Sequence, residues 1–349
     1  MPGYRWTLFG IVWFLGAGVS QAQTSKELDP LFQSTDILEV RITAPFDTIL
    51  AERSNEEDVP GKFQYTNQAG ELEEVDVGIR TRGISRRQKD VCPFPPLRLD
   101  FKSSQVKKSL LHKQDKLKLV THCKDRTSRY KETPLREYLA YRMLNELTDV
   151  SFRVRLMRIT YVDTDGRDPD RNRYGFVIEH KDRLAKRLGI KPIQLESTRT
   201  KALRPDYTNL ISMFHYMIGN TDFSPIAGPD AKCCHNHVLL GTEGELFYSV
   251  PYDFDQAGLV DAKHGQTNPR FKLSSAKQRL YRGRCSNNEH LTSTIAHFLS
   301  KREALFKLIG EQEGLGDATR RELTKFVEKF YDIINSPKQI ERQFVKKCI

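Results

Sequence analysis

Alternation of apolar and polar positions dominates the first half of the chain. Residues 37–43 alternate with period two, 62–66 and 74–80 do the same on either side of a turn at Asn67-Gln68-Ala69-Gly70, and 97–101 and 116–120 repeat the pattern. One antiparallel sheet accommodates all five. Thr133 then reads as an N-cap with Pro134 at the first helical position, and Leu135, Leu139, Met143, Leu144 and Leu147 follow at helical spacing. Two more apolar strands, 155–162 and 174–179, flank a polar turn over 163–170. A basic helical stretch opens at Glu179-His180-Lys181, and the boundary between the two halves is placed there.

Beyond that point the period becomes helical. Residues 207–218 carry Leu210, Ile211, Met213, Phe214, Met217 and Ile218 on one broad face, which predicts a buried helix delivering Gly219-Asn220-Thr221-Asp222 at its C-terminal end. Strands over 237–240 and 246–250 make a hairpin that runs into Pro251-Tyr252-Asp253. In the last hundred residues Leu291, Ile295, Phe298 and Leu299, then Leu323, Phe326, Val327 and Phe330, form core stripes of further helices. No internal repeat is visible.

The 349 residues, 38% hydrophobic, suffice for a full core in two domains or one two-lobed domain. Residues 1–22 combine Arg5, an apolar run over 6–17 and the small-x-small site Ser20-Gln21-Ala22, so a leader is expected to be removed near Gln23 and the mature protein to be secreted or periplasmic. The run is too short for a membrane anchor, and no later stretch would span a bilayer, so no stable membrane insertion is expected. The formal charge of +11, lowered by one with the leader, favours anionic partners. Six cysteines in an exported chain read as disulfides before metal ligands. Cys92 with Cys123 would staple the first half and Cys234 with Cys285 would pin the central loop, among 15 possible connectivities. Zinc at Cys233, Cys234, His235 and His237 is disfavoured, because structural sites space their cysteines two to four apart.

Candidate chemistry lies on Asp222, Asn236 and Asp253, an acid, an amide and a second acid in the order in which phosphotransferases present a base and two metal ligands. Asp255 is a further metal candidate, since alternate residues of an extended segment share a face. A cation from the first half would neutralise phosphate oxygens. Bland readings exist for each: Asp222 as a turn cap, Glu137 as a first-turn acid on a helix dipole, Arg86, Arg87 and Lys89 as an exposed basic face, and His235 and His237 as packing residues pointing away from Asn236.

The segments Val77-Gly78-Ile79-Arg80-Thr81-Arg82-Gly83-Ile84-Ser85, Pro96 to Phe101, Leu135 to Tyr141, Tyr174 to Glu179, the Asn220-Thr221-Asp222 loop and Pro251-Tyr252-Asp253-Phe254-Asp255 together resemble the spore coat protein H (CotH) kinase-like family from about residue 77 to 260. The loop at 219–222 with Tyr252-Asp253 is also similar to toxin-type kinases of the persister class. The resemblance implies an α+β, two-lobed protein-kinase-like fold, with an antiparallel-sheet small lobe over 23–180 and a mostly helical large lobe over 181–349. It also implies binding of ATP with Mg²⁺ or Mn²⁺ and phosphorylation of protein hydroxyls. By position, Asp222 matches the catalytic acid, Asn236 and Asp253 the metal ligands with Asp255 competing, Arg82, Gly83 and Ser85 the phosphate-facing turn, and Glu137 the small-lobe helix acid. Arg98 matches the phosphate cation, with Lys118 as rival. One departure is the 14-residue spacing of Asp222 and Asn236, where the kinase pattern has five, so an insertion is expected between them.

The expectation is therefore an exported metal-dependent phosphotransferase. The alternative is a catalytically inactive module of the same kind that binds an anionic envelope or surface component. Nucleic-acid binding rests on charge alone and is not expected. Hydrolase elbows, zinc-protease helices, Walker loops and dinucleotide fingerprints are absent from the sequence.

Overall fold

The computed structural model describes residues 28–349 except positions 68, 126, 167–168, 229–231 and 267–268. The expected leader, 1–22, lies outside the described residues. Seven strands, β1 (Leu38–Ala44), β2 (Val59–Thr66), β3 (Leu72–Thr81), β4 (Leu97–Phe101), β5 (Lys116–Val120), β6 (Val154–Asp163) and β7 (Arg171–Ile178), close into a barrel in the order β1-β2-β3-β4-β5-β7-β6. Every pairing is antiparallel except the closing one, in which β1 runs parallel to β6 from Leu38↔Met157 to Ala44↔Asp163.

This closure overturns the expected two-lobed kinase-like fold with an antiparallel-sheet small lobe. The physical reason is the shape of the apolar faces. Val40, Ile42, Phe63, Ile79, Leu99, Leu119, Ile159 and Val177 all project into one interior, which a closed sheet fills without leaving an edge strand unpaired. Strand β6 is buried on both faces, because its outer side packs under a helix; Leu156 there joins a different apolar cluster from Ile159.

That helix, α2 (Ser128–Leu147), follows the short α1 (Phe46–Glu52) in chain order, and Leu135, Leu139 and Tyr141 on it meet Phe176 and Ile178 of β7. The same apolar cluster continues into α4 (Pro205–Ile218), α5 (Leu291–Ser300), α6 (Arg302–Glu311) and α7 (Asp317–Ile334). The remaining elements are α3 (Lys181–Leu188), which begins where β7 ends, α8 (Pro337–Ile340), and a three-stranded sheet of β8 (Lys191–Ile193), β9 (His237–Gly241) and β10 (Tyr248–Pro251) in the order β10-β9-β8.

Helix α2 starts before the expected N-cap. Thr133 lies within it, its hydroxyl donating to the Arg129 carbonyl at 2.9 Å, and Pro134 is an interior residue. Glu137 is consequently mid-helix, beyond the reach of the N-terminal dipole, which removes the bland reading of that acid. Helix α4 opens with Pro205 and ends at Gly219, whose left-handed conformation (φ 66°) lets its N–H meet the His215 and Tyr216 carbonyls.

All six cysteines are disulfide-bonded, in the pairs Cys92–Cys123, Cys233–Cys234 and Cys285–Cys348. The first pair is the one expected. Cys234–Cys285 does not form, because Cys285 lies against the C-terminus, its N–H donating to the Ile349 carbonyl at 3.2 Å. No described helix is long and apolar enough to cross a membrane.

Candidate functional site

Three chain segments meet at the site: the turn after α4, the approach to β9, and the exit from β10. Past Gly219 the chain turns on Asn220, a buried residue whose Oδ1 accepts the Asp222 N–H at 2.9 Å. With that oxygen engaged, the Asn220 amide donates to His215 Nδ1 at 3.2 Å. His215 must then carry its proton on Nε2 and donate it to His237 Nε2 at 3.1 Å, and His237 donates from Nδ1 to the Ser249 carbonyl and hydroxyl at 3.0 Å. The chain of bonds runs in one direction and requires both imidazoles to be neutral. Burial first, then any charge on His237 and that of Arg282, disfavours protonation and holds His215 well below its ordinary value, and burial pushes His237 down to about 3. Phe223 stacks on His215 with ring centroids 3.8 Å apart.

Asp222 stands two residues beyond Asn220. Its Oδ1 meets His235 Nε2 at 2.8 Å, and the Asn236 amide donates to its Oδ2 at 3.0 Å and to its backbone carbonyl at 2.8 Å. The hydrogen bond to Asp222, offset in part by burial, raises the His235 pKa. The insertion between Asp222 and Asn236 is a closed loop: the Ser224 N–H donates to the His235 carbonyl at 3.0 Å, and the His235 N–H to the Ala227 carbonyl at 3.2 Å. Fourteen residues of separation thus return to direct contact. Asn236 itself takes a left-handed conformation (φ 54°) before β9 begins, so the alternation that would have turned His235 away does not apply.

The hairpin β9–β10 brings the second acid alongside. Tyr252 N–H donates to the Asn236 carbonyl at 3.0 Å, and Asp253 follows with φ 60° and its N–H on the Tyr141 hydroxyl of α2 at 2.8 Å. A non-glycine residue held at positive φ is costly unless its surroundings fix it, and such residues concentrate at functional sites. Asp253 is one-third exposed, whereas Asp255 is buried.

Arg86, expected on an exposed basic face, is buried among the acids. Its Nη2 lies 2.9 Å from Asp253 Oδ1, its Nε 3.2 Å from Asp255 Oδ2, and its Nη1 3.8 Å from Glu137 Oε2. Burial opposes its charge, but Asp255, Asp253 and Glu137 together hold it above its ordinary value. Asp255, also bonded to His264 Nε2 at 3.1 Å, is held below the carboxylate range by Arg86 and His264 against the effect of burial. Burial, then the Asp255 charge, raises Asp253. Glu137 is the extreme case. Neither of its oxygens has a hydrogen-bond partner among the described residues, and burial pushes its carboxyl up to about 8.

Arg98 and Lys118, the rival cations, face each other across β4 and β5 and both line a 320 Å³ cavity with Lys116, Phe152, Ile178, Glu179, His180, Lys181, Val238 and Tyr252. Glu179 is already engaged by Arg187 at 3.1 Å, which leaves the cavity predominantly cationic. Lys118 Nζ lies 4.5 Å over the Tyr252 ring. Burial first, then Arg82, Arg98 and Lys181, lower Lys118 to about 8, while Asp253 acts in the opposite sense. Lys118 thus connects the cavity electrostatically to the acid cluster.

Arg82, at the base of the turn after β3, feels Arg86, Asp253 and Glu137, and burial lowers its pKa. Gly83 (φ 93°) and Ser85 are exposed at the tip of that turn. Asp222 and Asn236 are therefore brought together; Asp253, Asp255 and Glu137 meet around Arg86; Arg98 and Lys118 line the cavity; Gly83 and Ser85 stay at the rim. The residues that sequence reasoning missed are Arg86, His235, Tyr141 and His264.

Among the described residues no three His, Cys, Asp or Glu side chains are grouped to hold a metal ion. The candidate oxygen donors are the Asp253 carboxylate, one of whose oxygens accepts from Arg86 at 2.9 Å, and the Oδ1 of Asn236, whose amide nitrogen is turned to Asp222. That donor set fits a Mg²⁺-type ion that takes its remaining ligands from water and substrate phosphates, and does not fit a metal caged by protein alone. Comparison with protein-family models and with curated proteins gives no match for this chain.

Proposed function

We propose that the chain is an exported metal-dependent phosphotransferase that moves a phosphoryl group from ATP to a hydroxyl acceptor, here taken as a protein side chain. The observation that carries the reading is a cation-lined cavity whose Lys118 lies over Tyr252 and feels Asp253, with the Tyr252 N–H bonded to Asn236 and the Asn236 amide bonded to Asp222. The motif resemblance over residues 77–260 to the spore coat protein H family supports the same chemistry. Disulfide-bonded cysteines suit an oxidising, exported compartment.

The cavity would hold the nucleotide, its apolar walls Phe152, Ile178 and Val238 against the base, and Arg98 and Lys118 toward the phosphates. Asp253 with Asn236 would hold Mg²⁺ or Mn²⁺, and the ion would neutralise the phosphate oxygens. Asp222 would take the acceptor proton. Its two oxygens offer about four lone-pair sites, of which His235 and the Asn236 amide occupy two. As the acceptor oxygen bonds to the γ-phosphorus, the bond to the β–γ bridging oxygen breaks, ADP leaves with the electron pair, and the proton passes to Asp222. Tyr141 and the Asn220–His215–His237–Ser249 chain fix the geometry of the two acids.

The test is the melting temperature with ATP and Mn²⁺, beside Asp253→Ala. Ligand at a hundred times its Kd stabilises by ~2.7 kcal/mol, and the variant loses that increment. Equal stabilisation of both proteins, or of neither, contradicts the reading. The burial of Arg86 among the acids favours a second reading, a non-catalytic anion-binding module, which predicts stabilisation by ATP without metal.

A further inference from the structure

The turn that carries Arg86 is anchored at both ends and exposed between them. The Arg82 N–H donates to the Pro96 carbonyl at 2.8 Å, and Arg53 Nη1 donates to the Arg87 carbonyl at 2.8 Å. Between these ties lie Gly83 at positive φ, Ile84 at 89% exposure and exposed Ser85, none packed into a core. Arg86 alone reaches inward. Its three guanidinium nitrogens address three carboxyl groups, from α2 and from the segment after β10.

The Asp253 oxygen that accepts from Arg86 belongs to the carboxylate that would bind the metal. A guanidinium at 2.9 Å already supplies the positive charge at that carboxylate, and a divalent ion added beside it would be repelled. We propose that Arg86 is a resident counter-cation that a divalent metal displaces, so that the turn latches the acid cluster against bare metal and releases it to a metal–nucleotide. The latch regulates the site described above and rests on the reading of Asp253 as metal ligand. Phosphate oxygens are what make release favourable. They would give the guanidinium a bidentate partner in exchange for the carboxylates, with Arg82 of the same turn as a second cation beside it.

The consequence is a change of sign between two titrations. Removing the arginine leaves the buried Asp255 and the partly exposed Asp253 without their shared cation, an unfavourable state that a bare cation relieves. Mn²⁺ binding to the full-length oxidised protein is read from the loss of the free-ion electron paramagnetic resonance signal, without and with ATP. Arg86→Ala should bind bare Mn²⁺ at least about tenfold more tightly than wild type and Mn²⁺ with ATP about tenfold more weakly. Arg86→Lys, which keeps the charge, should stay near wild type without ATP. Should Arg86→Ala not fold, Arg86→Gln combined with Asp255→Asn removes one charge of each sign, frees Asp253 of its guanidinium partner and should show a smaller gain of the same sign for bare Mn²⁺. Unchanged or weaker bare-metal binding in the folded variant, with binding to wild type in the presence of ATP intact, overturns the latch alone. Absence of Mn²⁺ binding in every protein, with and without ATP, overturns the latch together with the metal reading of Asp253.

Discussion

Replacing Glu137 by glutamine should stabilise the protein at neutral and alkaline pH. The acid is 1% exposed, its oxygens have no hydrogen-bond partner among the described residues, and its nearest cation is Arg86 at 3.8 Å. Burial raises its carboxyl from 4.5 to about 8. A group whose pKa is higher in the folded chain stabilises fully below its unfolded value, and that contribution is lost as pH rises through the folded value. Between the two values the folded state is penalised by roughly 1.4 kcal/mol for each pH step, which reaches ~3 kcal/mol at pH 7. Glutamine has nearly the same shape and never ionises. Urea unfolding of wild type and Glu137→Gln at pH 4.5, 7 and 8.5 should show a difference that is small at the first pH, ~3 kcal/mol in favour of glutamine at the second, and larger at the third. A pH-independent difference, or a glutamine variant less stable than wild type at pH 8.5, refutes the reasoning. It would mean that Glu137 is ionised and paired.

Other predictions follow from the same geometry. His237→Phe removes both the acceptor of His215 and the donor to Ser249, and should cost ~1–3 kcal/mol. Because His237 is pushed down to about 3, wild type should lose stability as pH falls from ~6.5 toward 3 more steeply than the variant does. Lys118→Met should weaken ATP binding by about ten- to a hundredfold in calorimetric titration, the size of effect expected for one lost charge-assisted contact. It should leave the melting temperature without ligand unchanged or higher, because it removes a buried cation from among Arg82, Arg98 and Lys181. Converting Cys285 and Cys348 to serine opens a loop of sequence separation 63 and should lower unfolding free energy by ~4 kcal/mol.

Much of the chain was legible in period alone. Strands β4 and β5 match the expected 97–101 and 116–120 residue for residue, and α4 begins two residues before the expected 207. Closure of the barrel was not legible. Glu39 and Arg158, paired across β1 and β6, stand 119 residues apart, and alternation states which face a residue takes but not which strand lies beside it. The position of Asp222 just past a helix end was legible, because a buried helix ending in glycine delivers it. The contact of Asn236 with Asp222 was legible only through the motif resemblance, since the Ser224–His235 bridge that closes the insertion leaves no spacing rule. Arg86 carried no signal, as a single inward residue on a short turn between basic neighbours reads as surface charge. The partner of Cys285 was hidden for a related reason: Cys348 and Ile349 lie beyond the last helical turn, where the sequence has no periodicity.

The most direct measurement is phosphoryl transfer from γ-labelled ATP in the presence of Mn²⁺, with wild type and Asp222→Asn compared at matched nucleotide occupancy. The account predicts label moved to protein or to water by wild type and a loss of at least about a hundredfold in Asp222→Asn, the usual scale for a catalytic acid–base group, with ATP binding retained. Release of label at equal rates by both proteins, or by neither while Mn²⁺ and ATP are bound, would contradict it.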